Sequence, residues 1–236
     1  MRKVYCATLG CDKNLVDSEA LLGRFLRDGV QPVHDPDEAD IWVLNSCGFI
    51  DAARADSEET LRDMAGAKGD RILVVTGCWS QEHGEDIRTR FPDVDVVAGV
   101  GQFDEVVAAV REGRSTAGLA PDAPAASPDF PLAGPPIVSD PMTAPYVGLK
   151  ERPLLTPGHL AFVKIGEGCN CTCTFCRIPL IRGKLRSRPL AEVVAEVEGL
   201  VDRGVTEIQL LNPFFLRSVE PGLDAMAGRT VEGVGR

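Results

Sequence analysis

Short apolar runs alternate with longer amphipathic stretches through the first hundred residues. Residues 4–9 read as a buried strand, and a turn leads to a helix over 18–28 capped by Asp17 or Ser18. Residues 41–45 form a second clear strand, 57–67 a helix, 72–76 a strand, 81–91 a helix and 94–98 a strand; a helix over 106–111 closes the series. Strands and helices alternating at these lengths imply an α/β domain, residues 1–114, built as a doubly wound parallel sheet with helices on both faces. Residues 115–158 carry 10 of the 17 prolines and no hydrophobic period, as a partly extended linker does. The pattern then resumes with a strand at 160–165, an amphipathic helix at 190–203 and a strand at 207–211, one βαβ unit over 159–211 with a right-handed crossover.

Composition narrows the setting. The chain has 236 residues, 44% hydrophobic and 25% charged, as one or two ordinary globular cores require. Its apolar runs are of strand length and its first residues lack the apolar stretch of a signal peptide, so a cytoplasmic protein with no membrane partner is expected. Charge is uneven: net −11 in residues 1–158 against +1 in 159–236. An acidic front half suits a basic protein partner better than a nucleic acid, although most acidic surfaces are only solvated faces.

Eight cysteines change the picture, because disulfides do not persist in the cytosol and thiols there serve as ligands. Four lie within residues 169–176. Cys169, Cys173 and Cys176 are spaced so that a short loop can present three thiolates to three corners of a cubic iron–sulfur cluster. The fourth iron stays open, able to take a small molecule by nitrogen and oxygen. Zinc and a disulfide-bonded loop are the alternatives; zinc would normally recruit histidines or a second cysteine pair, and the nearest histidine is His159. Cys171 matches no ligand position and reads as a bystander.

Three further cysteines follow three different strands: Cys11, Cys47 and Cys78. The carboxyl ends of parallel strands share one sheet edge, so these thiols should converge, each with a glycine beside it for close backbone approach. The alternative is three buried structural cysteines. Cys6 lies inside the first strand and reads as core. His34, His83 and His159 are scattered and read as surface or loop residues, and Trp79 either shields the site beside it or simply packs.

The stretches Leu9-Gly10-Cys11-Asp12-Lys13-Asn14-Leu15-Val16-Asp17-Ser18-Glu19, Asn45-Ser46-Cys47-Gly48 and Gly77-Cys78, followed by Gly166-Glu167-Gly168-Cys169-Asn170 and Phe175-Cys176, resemble the methylthiotransferases among the radical S-adenosylmethionine (SAM) enzymes. That resemblance implies two 4Fe–4S clusters, one on Cys11, Cys47 and Cys78 and one on Cys169, Cys173 and Cys176, with SAM as cofactor and Phe175 at a cofactor-binding position. It implies that 159–211 begins a radical SAM (β/α) barrel that is incomplete here. The continuation after Cys11 and the run Arg182-Gly183-Lys184-Leu185-Arg186-Ser187-Arg188 are similar to the branch that adds a methylthio group to the β-carbon of an aspartate in a small-subunit ribosomal protein. A radical suits such a carbon, whose hydrogen no side-chain base removes at neutral pH. The electron would come from a donor such as flavodoxin or ferredoxin. A tRNA adenosine substrate and a non-catalytic metal-binding remnant are the other readings, and the basic run is alternatively a solvated loop. After Leu211 the resemblance stops, and residues 212–236 have no clear period; a truncation or shifted reading frame near Asn212 is expected, leaving an open barrel edge prone to aggregation.

Overall fold

The computed structural model describes residues 1–115, 136–143 and 152–212. The first unit runs β1 (Lys3–Thr8), α1 (Asp12–Arg27), β2 (Gln31–Pro32), a single 3-10 turn (Pro36–Glu38), β3 (Ile41–Ser46), α2 (Asp51–Ala67), β4 (Ile72–Gly77), α3 (Cys78–Arg90), β5 (Val96–Val97) and α4 (Phe103–Ser115). All neighbouring strands pair in parallel, in the order β2-β1-β3-β4-β5. Every residue of β3 and β4 is buried, because both faces of the sheet are covered. α1 and α4 cover one face through Val16, Leu21, Phe25, Val106 and Val110, and α2 and α3 cover the other through Leu61, Met64, Trp79 and Ile87. The expected doubly wound α/β domain is what the chain forms.

Its helices start earlier than the apolar period suggests. α1 begins at Asp12 rather than at residue 18, with Cys11 in extended conformation at its amino end. The reason lies in what this helix buries: Asn14, Asp17, Ser18 and Glu19 face inward with the apolar residues, so its first turns carry no apolar period. α2 likewise starts at Asp51, and α3 starts at Cys78 directly after β4 with no intervening turn. The short strand β2 was not anticipated.

The second unit contains β6 (Leu160–Lys164), β7 (Gly166–Glu167), α5 (Ile178–Ile181), β8 (Arg186–Ser187), α6 (Leu190–Asp202) and β9 (Glu207–Leu211). β6 and β9 pair in parallel from Leu160–Glu207 to Lys164–Leu211, with α6 as the crossover, giving the expected βαβ unit. The antiparallel pair β7–β8 and the turn α5 are additions that hold the cysteine loop. Ala161, Val163, Leu200 and Val205 form the unit's small core, while Phe162 packs into the core beneath α1. A buried arginine crosses that junction, Arg152 pairing with Glu19 of α1 and with Glu196 of α6, and Arg188 donates to Glu196 within the second unit.

Most of the proline-rich stretch and all of 213–236 lie outside the described residues. Within 136–143, Ile137 bridges to Ala98 at the edge of the sheet and packs on the first core. No helix among the described residues is long and apolar enough to cross a membrane.

Candidate metal centres

The sheet order reverses between β1 and β3, and the crevice beyond the strands' carboxyl ends at such a point is where doubly wound folds bind ligands. Cys11 lies beyond β1, Cys47 beyond β3 and Cys78 beyond β4, and all three line one cavity of about 460 Å³. Cys47 and Cys78 are buried and Cys11 is exposed. The cavity's other walls are largely apolar: Phe49, Ile50 and Ala53 from the first unit, Ile178, Ile181 and Leu211 from the second.

Local structure holds these thiols in place. Gly10 turns the chain with φ +94°, and a Cβ there would sit 2.8 Å from the Cys47 Sγ. A Cβ on Gly48 would lie 2.8 Å from the Trp79 Cα. Ser57 of α2 accepts from the Cys47 N–H at 3.0 Å and donates to its carbonyl at 2.9 Å. Asn14 donates from Nδ2 to the carbonyls of Leu9 (2.8 Å) and Ser46 (3.1 Å), tying the loop that carries Cys11 to the one that carries Cys47. Sequence reasoning found no role for Asn14; its bond to Ser46 crosses 32 residues, which no local pattern displays. Trp79 is buried in the core of its own face, edge-on to Phe91 at 6.3 Å, so it packs.

The second triad is less closed. Cys169 is buried, Cys176 half-buried and Cys173 exposed, and none lines the cavity of the first triad. Gly168 begins the loop with φ +75°, where a Cβ would strike the carbonyl oxygens of Lys184 and Gly183. The Cys169 N–H donates to Gly183 (3.1 Å), the Cys176 N–H to Cys173 (3.0 Å) and the Cys171 N–H to the Cys169 Sγ (3.4 Å). Arg177, beside Cys176, pairs with Glu82 of α3. Phe175 is 82% exposed. Among the described residues no disulfide joins the cysteines, and no three His, Cys, Asp or Glu close around a single ion. Ligands to a cubane bind separate irons and need no such common point. Three thiols lining one cavity are the donor type and number that such a cluster would take.

Between the two cysteine sites lies a buried ionic network. Lys164 pairs with Asp17 and with Glu167 (2.8 Å), and Lys13 approaches Glu167 at 3.5 Å. Arg182 donates to Asn14 Oδ1 (2.7 Å), Asp17 Oδ2 (3.0 Å), Glu167 Oε1 (3.1 Å) and the Cys78 Sγ (3.4 Å). Burial pushes the Glu167 carboxyl up, but Arg182, Lys164 and Lys13 outweigh it and hold it well below the usual carboxylate range. Burial lowers Lys13 against the opposing pull of Glu167. Burial raises the Cys78 thiol, with Arg182 working the other way. The reading of 182–188 as a solvated loop fails at its ends, since Arg182 and Arg188 are 4% and 5% exposed.

Residues 3–99 match the family described as "Uncharacterized protein family UPF0004". The ribosomal protein uS12 methylthiotransferase RimO of Anaeromyxobacter sp. (strain Fw109-5) is 38% identical over 212 residues, 89% of this chain and 41% of that protein. The RimO proteins of Symbiobacterium thermophilum and Clostridioides difficile are 37% and 32% identical, each over 89% of this chain and over 40% and 44% of their own lengths. The chain thus spans about two-fifths of the length of these relatives. In fold it is similar to the cobalamin-dependent S-adenosylmethionine radical enzyme OxsB, solved with aqua-cobalamin and S-adenosylmethionine, at TM-score 0.52 and 14% identity over 96% of this chain and 36% of that one. Over 89% of its length the chain is thus similar in sequence to RimO methylthiotransferases, and its first unit matches the UPF0004 family.

Proposed function

We propose that this chain carries the sulfur-holding site and the SAM-cleaving loop of a radical SAM methylthiotransferase whose substrate is an aspartate of the ribosomal protein uS12. The observation that carries the reading is the meeting of Cys11, Cys47 and Cys78 at the sheet's switch point, in a cavity walled on its open side by α5 and Leu211 of the second unit. Cys11, Cys47 and Cys78 would hold a 4Fe–4S cluster whose open iron would take sulfur, and Cys169, Cys173 and Cys176 a second whose chemistry would be reductive cleavage of SAM.

The chain's own residues prepare that chemistry. Phe49, Ile50, Ile178 and Ile181 give the sulfur site an apolar lining. Asn14 and Ser57 brace the backbone next to Cys11 and at Cys47, which limits where those thiols can move. Lys13 lines the same cavity, as Asp12 and Arg182 do, and brings a second cation to a largely apolar wall. The exposed Cys173 and Phe175 form the side of the second loop that SAM reaches. A small one-electron carrier such as flavodoxin or ferredoxin delivers the electron, and the ribosomal substrate places the reaction in the cytoplasm.

The test is iron and sulfide content with electron paramagnetic resonance after anaerobic reconstitution, comparing the wild type with Cys169→Ala/Cys173→Ala/Cys176→Ala and with Cys11→Ala/Cys47→Ala/Cys78→Ala. Eight irons falling to about four in each variant is the expected result. Zinc without iron in the wild type would overturn the reading.

A further inference from the structure

Arg182 stands between the two cysteine sites and serves both. It is 4% exposed, at the carboxyl end of α5, and faces the cavity of the first triad together with Cys78. We propose that Arg182 is a positioning residue that sets the reduction potential of a cluster on Cys11, Cys47 and Cys78 and, through Glu167, orients the loop that begins at Cys169. The inference rests on the cluster assignment made above and adds to it a residue that does not itself ligate metal.

Two sets of bonds support it. On one side Nη2 donates to the Cys78 Sγ at 3.4 Å, to Asn14 Oδ1 at 2.7 Å and to Asp17 Oδ2 at 3.0 Å. Asn14 is the residue that ties the Cys11 and Cys47 loops together, so the guanidinium is held against the same brace that places the other two thiols. On the other side Nη1 donates to Glu167 Oε1 at 3.1 Å. Glu167 is followed by Gly168, whose φ of +75° directs the chain into Cys169.

Hydrogen bonds to ligand sulfur and nearby positive charge stabilise the electron-rich state of an iron–sulfur cluster and raise its potential. Asp17 and Glu167 balance the arginine's charge, but of the two groups in contact with the Cys78 sulfur, Arg182 and Asn14 Oδ1 (3.5 Å), only Arg182 is a donor and a cation, so its effect dominates there. A lysine at this position keeps the charge but cannot fork to four acceptors.

The experiment uses the full chain carrying Cys169→Ala/Cys173→Ala/Cys176→Ala, so that only the first cluster is titrated, with Arg182→Lys, Arg182→Gln and Arg182→Gln/Glu167→Gln compared in that background. The paired variant relieves the buried carboxylate that Arg182→Gln leaves alone, which keeps the test open should the single variant fold poorly. A redox titration followed by electron paramagnetic resonance should give iron content equal to the parent and a lower midpoint potential in the glutamine variants, with Arg182→Lys between. Full iron with an unchanged midpoint in the glutamine variants would overturn this inference alone. Absence of iron from the parent would overturn the cluster assignment and this inference with it.

Discussion

The Cys47 Sγ lies 2.8 Å from the point a Cβ on Gly10 would occupy, so any side chain at residue 10 would displace the Cys47 thiol. Gly10→Ala should lower the iron bound by the first triad while leaving the second triad's share intact. Strain at the positive φ adds about 1–3 kcal/mol of destabilisation. Gly29→Ala separates the two effects, because Gly29 has φ +79° and nothing within 4 Å of its Cβ position. That variant should show the strain in urea denaturation and retain its iron.

Arg152 is buried between two carboxylates from different units, Glu19 of α1 and Glu196 of α6. Arg152→Met leaves both charges underground with weaker compensation, and removing one partner of such a set costs about 3–5 kcal/mol. Urea denaturation should show the loss, and Arg152→Met/Glu196→Gln should recover part of it.

Cys171 contributes a backbone N–H to the Cys169 Sγ, which alanine also supplies. Cys171→Ala should therefore load the same iron as wild type, whereas Cys173→Ala should lose the second cluster. Iron analysis of both variants decides whether Cys171 is a bystander or a ligand.

Leu200 of α6 is 2% exposed and completes the small core with Ala161, Val163 and Val205. Leu200→Ala should destabilise the chain by about 2–5 kcal/mol. A fall in urea midpoint with unchanged slope would match that expectation, and an unchanged midpoint would contradict it.

Burial lifts the Cys6 thiol above its ordinary value of 9.0, against weaker opposing hydrogen bonds from Ser18 and Thr8. The folded chain thus holds this proton more tightly than the unfolded chain. The associated stability is full below pH 9 and declines as pH rises towards the folded value. Cys6→Ala should flatten the fall in stability above pH 9, as measured by denaturation across pH 7 to 10.

The cysteine spacings, the alternation of strand and helix, and the glycines flanking Cys11, Cys47 and Cys78 were all legible along the chain, because ligand spacing in one loop and the shared edge of parallel strands follow from local order alone. The sequence by itself therefore determined the α/β class, the βαβ start of the second unit and the six candidate ligands. The true start of α1 was hidden, since Asn14, Asp17, Ser18 and Glu19 are buried polar residues that a hydrophobic period counts as solvated. Only the tertiary structure decided what those side chains do. Asp17 meets Lys164 across 147 residues, Asn14 meets Arg182 across 168, and Glu19 meets Arg152 across the junction of the two units. Charges so far apart in sequence are paired because burial makes an unpaired one too costly, and which partner each finds depends on how the two units pack.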